Sequence, residues 1–256
     1  MASSPMTYEA TRRVETSVRT FTIVEHLDQA GPSRVSAIAA DLEMTKGIVH
    51  NHLSTLRELG YVAKVDEQYQ LSAKFLQLGK RVQSHSPLYR AAHTPLGSYA
   101  TRVDAGVILY ARAGDDAIVI DTYGLPASVD VDVGTAQPLT ACLAGIVILL
   151  ESAAAESFED APYDIDSLAS QLETAQIITD RVSASIPTPA CSVPITTDSG
   201  DCLGSLAVLL PTADDTRHTE LNESVRALRE QIERRHSGEE STERSFATEK
   251  HAWIDK

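Results

Sequence analysis

The chain has 256 residues, 43% of them hydrophobic, with 36 Asp and Glu against 22 Lys and Arg for a net charge of −14. That length and apolar content suffice for two modest domains with separate cores. No run approaches the roughly 18 apolar residues of a membrane span, and 144–150, the longest, is far too short. The start Met1-Ala2-Ser3-Ser4-Pro5 lacks a charged region followed by an apolar one, so no signal peptide is expected. Cys142, Cys191 and Cys202 form a sparse, odd set, which fits a reducing cytoplasm.

In chain order, residues 1–13 read as a flexible polar arm carrying Arg12 and Arg13. A helix is expected over 15–30, with Val18, Phe21, Ile23, Val24 and Leu27 on its apolar side and Gly31-Pro32 as its stop. A short helix over 35–42 places Val35, Ile38, Ala39 and Leu42 on one face. A second, over 45–59, turns Ile48, Val49, Leu53, Leu56 and Leu59 inward and Lys46, His50, Asn51, Ser54 and Arg57 outward, with Gly60 at its end. Residues 61–65 and 68–71 then form a hairpin over the polar tip Asp66-Glu67. Helix, tight turn, helix, hairpin is a winged helix-turn-helix layout, whose second helix enters the DNA major groove. Residues 14–71 are therefore the expected DNA-binding domain, and 72–87 a linker helix with Phe75, Leu76, Leu78 and Val82 apolar.

Beyond the linker the charge shifts. Residues 1–85 carry 10 Lys and Arg against 9 acids, whereas 86–256 carry 12 against 27. Acid that would repel phosphate thus sits in the half that need not touch DNA. With only 6 Lys and Arg as the main cation, the balance suggests adaptation to high salt, where counterions screen the surface within a few ångströms.

Residues 88–236 read as an α+β domain. A helix over 88–104 contains Pro95, which should bend or interrupt it. Residues 106–112 and 117–122 are paired strands across Gly114-Asp115-Asp116, and Val129 to Val133 alternates valine with aspartate like a half-exposed strand. A very apolar helix is expected over 138–151 and a short one over 167–174. Strands over 190–197 and 202–210 form a second hairpin, and an amphipathic helix over 215–236 closes the domain with Leu221, Val225, Leu228 and Ile232 inward. Residues 237–256 are polar and charged, and disorder is the default there.

This order resembles the IclR (isocitrate lyase regulator) family of transcription factors, particularly its archaeal members, over about 14–236. The most specific stretch is Ser36-Ala37-Ile38-Ala39-Ala40-Asp41-Leu42-Glu43-Met44-Thr45-Lys46-Gly47-Ile48-Val49-His50-Asn51-His52-Leu53, continuing through Leu56-Arg57-Glu58-Leu59-Gly60-Tyr61-Val62. Tyr69-Gln70-Leu71-Ser72, Phe75-Leu76-Gln77-Leu78-Gly79, Pro138 to Gly145 and Gly204-Ser205-Leu206-Ala207-Val208 are also similar. The resemblance implies a winged-helix domain, a linker helix and a GAF-like effector-binding domain. It also implies dimers, often paired into tetramers, on palindromic operators. The chain departs from the family at Thr140, where a histidine is usual, at Ile146, where a lysine is usual, and at Gly47-Ile48, where hydroxyls are usual.

Sequence readout needs side chains that reach base edges and phosphate contacts that fix register. Thr45 is a natural N-cap beside Lys46 and Gly47, His50 and Asn51 lie one turn in, and Asn can pair bidentately with adenine. Arg57, two turns on, suits backbone or a neighbouring carboxylate. Arg34 and Lys64 are further phosphate candidates, although Asp66 and Glu67 at the wing tip disfavour close approach. His52 points to a different side from His50 and is expected to pack or hydrogen-bond within the domain.

In the second domain Thr140 and Cys142, Asp121 and Tyr123, and Cys191 and Ser192 are the candidate ligand contacts, a few polar groups among apolar walls. Buried free cysteines usually act as small hydrophobes. No metal site, cofactor loop or catalytic elbow is recognisable. The sequence therefore points to a cytoplasmic, homodimeric regulator binding double-stranded operator DNA and answering a small-molecule effector. The rival readings are a metabolite- or redox-sensing module acting through protein partners with a degenerate DNA-binding domain, and an enzyme on the α+β half.

Overall fold

A computed structural model describes residues 11–152, 158, 161–210 and 215–252. The first ten residues of the expected arm lie outside these. The chain divides into a smaller unit ending at Ser84 and a larger one from His85. Among the described residues no helix is long and apolar enough to cross a membrane.

The smaller unit contains α1 (Glu15–Ala30), α2 (Val35–Asp41), α3 (Lys46–Glu58), the hairpin β1 (Val62–Val65) and β2 (Gln68–Leu71), and α4 (Lys74–His85). Thr45 caps α3 by accepting a hydrogen bond from the Ile48 N–H at 3.3 Å, and Gly60, at φ 79°, takes the left-handed position that ends it. Val49, Leu53 and Leu56 from α3 join Ile23, Leu27, Ile38, Val62 and Tyr69 in one core. Each such buried side chain stabilises by about 1.5–3 kcal/mol. Ser33 exchanges backbone hydrogen bonds of 2.9 and 2.8 Å with Tyr69, which ties the approach to α2 to the wing.

Three expected inward residues point out: Val18 and Phe21 are 42% and 62% exposed, and Leu59 is 55% exposed. At 100° per residue Val18 and Phe21 lie opposite Ile23 and Leu27, so α1 has two apolar faces rather than one. α4 likewise leaves Leu76, Leu78 and Val82 exposed.

The larger unit contains α5 (Pro87–Val103), β3 (Val107–Ala113), β4 (Asp116–Tyr123), β5 (Ala136–Pro138), α6 (Leu143–Glu151), α7 (Ile165–Ala175), β6 (Ile178–Arg181), β7 (Pro189–Thr196), β8 (Cys202–Leu209) and α8 (Asp215–Ala252). The strands form one antiparallel sheet in the order β5-β4-β3-β8-β7-β6. One face buries Ile108, Tyr110, Val119 and Ala207 against α6 and α7, and the other buries Val107, Leu109, Val193 and Leu206 against α5 and α8. This is the GAF-like arrangement of a sheet between helices.

Several local expectations are corrected. The helix expected from Pro138 begins only at Leu143. Pro138 closes β5, Leu139–Ala141 make a 3-10 turn, and extended Cys142 caps α6. Gly145 permits this tight entry, since a Cβ there would overlap the Leu139 carbonyl. Val129 to Val133 is not a strand, because β4's free edge is taken by 134–138, leaving the valines no ladder to join. Val129 and Val131 are nonetheless buried. The edge strand β6 carried no alternation that would reveal it. α5 runs unbroken through buried Pro95. α8 continues beyond His236 to Ala252, through the segment expected to be a disordered tail; after Gly238 that segment is rich in helix-forming Glu, Arg, Lys and Ala and has no proline.

Candidate nucleic-acid interface and sensing face

Burial of Val49, Leu53 and Leu56 fixes which side of α3 faces out. Lys46, Gly47, His50, Asn51 and Ser54 form a continuous exposed stripe on the opposite side. Thr45 is itself exposed beside the first turn, where backbone N–H groups not bonded within the helix suit an anion. Nothing lies within 4 Å of a Cβ built on Gly47, so the backbone there is open to close approach.

Arg34, at the start of α2, joins Lys46, His50 and Lys64 around one open cleft closed by Glu67 and Tyr69. Four of the expected DNA contacts are thus gathered in one place, with Thr45, Gly47 and Asn51 on the adjoining helix surface. Arg57 is exposed but lies two turns away, near the end of α3, and is not part of the cleft.

Lys64 is not simply displayed to solvent. Its Nζ donates to both Glu67 carboxylate oxygens at 2.9 Å and lies 5.7 Å from the centre of the Tyr69 ring. The Lys64 ammonium holds the Glu67 carboxyl below its ordinary value, with a smaller contribution from Arg34. Sequence reading placed Glu67 at the tip but missed this pairing; the signal was a Glu in a two-residue turn three positions after a Lys. His52 contacts Thr20 of α1 at 2.9 Å, as expected of an inward residue.

The six expected ligand contacts are not gathered in one pocket. Register places Tyr123, Val107, Val208 and Cys191 in one cross-strand row, and Asp121, Leu109, Leu206 and Val193 in another, both on the α5/α8 face. Ser192 pairs with Ala207 and Ile108 on the α6 face. Thr140 and Cys142 lie at the entry to α6. The sheet therefore divides the set.

On the α5 side Asp121 Oδ2 lies 2.8 Å from His93 Nδ1, and Tyr123 Oη lies 2.6 Å from the same nitrogen. Tyr89 stacks on His93 at 4.8 Å. His93 went unnoticed because it sits on the polar side of an otherwise apolar helix. On the α6 side Cys142 Sγ accepts the Gly145 N–H at 3.4 Å, and Ser192 Oγ donates to the Leu206 carbonyl at 3.1 Å. Tyr110 Oη is fully buried near Cys142 and Tyr163 and has no hydrogen-bond partner among the described residues. Such an orphaned hydroxyl marks a polar point in an apolar core. It was invisible in sequence, where Tyr110 reads as strand filler.

A winged helix-turn-helix with an exposed outer stripe, followed by a separate GAF-like unit, is the architecture of the chain. Residues 17–66 match the profile of the IclR helix-turn-helix domain. A relative from Halobacterium salinarum, named "Probable HTH-type transcriptional regulator ArcR", is 20% identical over 124 residues, which span 44% of this chain and 47% of that protein. The chain thus matches about half the length of that relative. The crystal structure of an IclR transcriptional regulator from Alicyclobacillus acidocaldarius superposes with a TM-score of 0.71 at 18% identity, covering 88% of this chain and 99% of the other. An IclR homolog from Microbacterium hydrocarbonoxydans, complexed with 4-hydroxybenzoate, gives a TM-score of 0.67 at 15% identity over 87% and 99% of the two chains. Residues 17–66 are thus similar to the IclR helix-turn-helix domain, and the chain shares the fold of solved IclR regulators.

Proposed function

We propose that the protein is a cytoplasmic transcriptional regulator, rather than an enzyme, that binds an inverted-repeat operator as a homodimer. α3 enters the major groove with Asn51 and His50 toward base edges. Thr45, Lys46, Gly47, Arg34 and Lys64 fix its register on phosphates, and Arg57 serves the backbone farther along. The observation that carries this reading is the outward stripe of α3, exposed among the described residues beside a basic cleft.

The larger unit is the sensor. The buried, unpartnered Tyr110 hydroxyl near Cys142 supports a small organic ligand on the α6 face, offering an acceptor to that hydroxyl. The Microbacterium homolog's complex with 4-hydroxybenzoate supports the same ligand class. Asp121, Tyr123 and Cys191, across the sheet, are then structural or serve a separate contact. The acidic composition and the Halobacterium relative support function at high salt.

The test is fluorescence anisotropy with DNA from upstream of the protein's own coding sequence, across salt concentrations. Specific binding that persists toward molar salt is expected. Absence of binding to any upstream or genomic fragment at any salt overturns the reading in favour of a module acting through protein partners. Native mass spectrometry of freshly purified protein should reveal a retained small molecule.

A further inference from the structure

The wing carries a feature that DNA binding alone does not require. Lys64, the only cation on β1, is engaged by both oxygens of Glu67 at 2.9 Å. Its side chain is 27% exposed, whereas that of Glu67 is 79% exposed. Across the same cleft Arg34 and Lys46 make no ion pair among the described residues. Glu67 is the cleft's single carboxylate facing three permanent cations.

The backbone singles out the same residue. Asp66 and Glu67 have φ of 47° and 65°, so both central positions of this two-residue turn are left-handed. Asn-Gly is the pair that makes such a turn readily, and a glutamate at its second position is uncommon. Glycine would close the wing without strain, yet the position holds a carboxylate that reaches back to Lys64.

A carboxylate and a phosphodiester are both anionic oxygen acceptors for the same ammonium, and the pair is charge-assisted in either case. We propose that Glu67 is the built-in counter-ion of a phosphodiester site formed by Arg34, Lys46 and Lys64. It holds Lys64 in the free protein and is displaced by a backbone phosphate when α3 seats in the groove. This rests on the DNA-binding reading above. Its consequence is selectivity by weakening: every encounter must break the Lys64–Glu67 pair, and only a fully seated complex compensates by filling the whole cleft. Because the freed carboxylate recruits a cation of its own, it cancels the ion release that Lys64 would otherwise contribute.

The test uses the full-length chain on a generic-sequence duplex, titrated by anisotropy over a salt series. Glu67→Gln should tighten binding and steepen the slope of log K against log salt by about 0.9, one phosphate's worth. Glu67→Gly suits the left-handed turn and should do the same, which keeps the test valid if the glutamine variant folds poorly. Asp66→Asn removes the same charge one residue away and should leave the slope unchanged, and Glu67→Gln should have no slope effect in a Lys64→Met background. Equal slope changes from Asp66→Asn, or persistence of the effect without Lys64, would reduce Glu67 to general surface charge and overturn the proposal. Wild-type binding with an unchanged Glu67→Gln slope overturns the counter-ion role alone. No binding by wild type or variants at any salt overturns the DNA-binding reading as well.

Discussion

Thr20 and His52 fasten α1 to the recognition helix through a 2.9 Å hydrogen bond between Thr20 Oγ1 and His52 Nδ1. The Thr20 hydroxyl donates to the Thr16 carbonyl at 2.8 Å, so the hydrogen between the two side chains belongs to His52 Nδ1. Burial of Val49, Leu53 and Leu56 sets which side of α3 faces out, and this bond adds a polar contact to α1 on the covered side. Thr20→Val should cost about 0.5–1.5 kcal/mol. Circular dichroism melting should show a midpoint lowered by about 4–8 °C per kcal/mol for a unit of this size. An unchanged midpoint with unchanged DNA binding would mean the bond positions nothing.

Lys46 and Asn51 should fail differently when removed. Lys46 is a charge at the helix start, so Lys46→Ala should weaken binding to specific and random duplexes alike and shallow the salt slope by about 0.9. Asn51 offers a bidentate amide, so Asn51→Ala should cost about 1–3 kcal/mol on the operator and almost nothing on random DNA. Parallel titrations on the two duplexes check this. Equal loss on both from Asn51→Ala would move it to the phosphate contacts.

How these elements were readable in sequence follows from what each one packs against. The helix-turn-helix was legible almost to the residue because Thr45 and Gly60 punctuate α3 locally and its apolar spacing answers to a single core. α1 showed the limit of that method. Val18 and Phe21 were pooled with Ile23 and Leu27 because a sequence reports hydrophobicity and not which of two faces is covered. The larger unit was legible as strands and helices, but the placement of its candidate ligand contacts was not. Asp121, Cys191, Cys142 and Ser192 are all buried polar residues or thiols, and only the register of β3, β4, β7 and β8 reveals that the sheet separates them. Val129 and Val131 alternate like a strand because one side faces the core, while hydrogen bonding from 134–138 had already claimed the neighbouring edge.

Cys142 and Cys191 are buried and Cys202 is half-buried, and all three should behave as unreactive hydrophobes. Burial pushes Cys142 and Cys202 up to about 11 and Cys191 up to about 12, from an ordinary 9.0. Thiolate is the reactive form, so alkylation at pH 8 should be very slow in the native protein and rapid in denaturant. Cys142 and Cys191 face opposite sides of the sheet, so those two cannot pair across it. The same shifts set a pH dependence. Above pH 9 the unfolded chain releases thiol protons that the folded chain keeps, so the folded state binds more protons and stability falls with rising pH. The stabilisation is complete below pH 9 and is lost through pH 11–12, where Tyr123, pushed up to about 12 by burial and by Asp121, adds to the same trend. Denaturant midpoints that stay flat from pH 9 to 11 would contradict it.

The exposed apolar faces of the smaller unit offer the proposed homodimer a specific seam. Val14, Val18 and Phe21 recur every third or fourth residue on α1, 66%, 42% and 62% exposed, and Leu78 and Val82 follow the same rule on α4, 40% and 72% exposed. The flanking charges are complementary. α1 carries Glu15, Glu25 and Asp28 against Arg19, while α4 carries Lys74, Lys80 and Arg81 with no acid. We expect α1 of one protomer to lie on α4 of its partner. In a two-fold assembly each residue contributes twice. Burying Phe21 is worth at least about 1.5 kcal/mol per copy, so Phe21→Glu should weaken dimerisation by about a hundredfold or more. Val82→Glu should act similarly. Light scattering behind size exclusion, at matched concentrations of wild type and variants, checks this. A dimer that survives both substitutions places the seam elsewhere, whereas a monomer that has lost operator affinity but keeps weak random-DNA binding links the two half-sites to this contact.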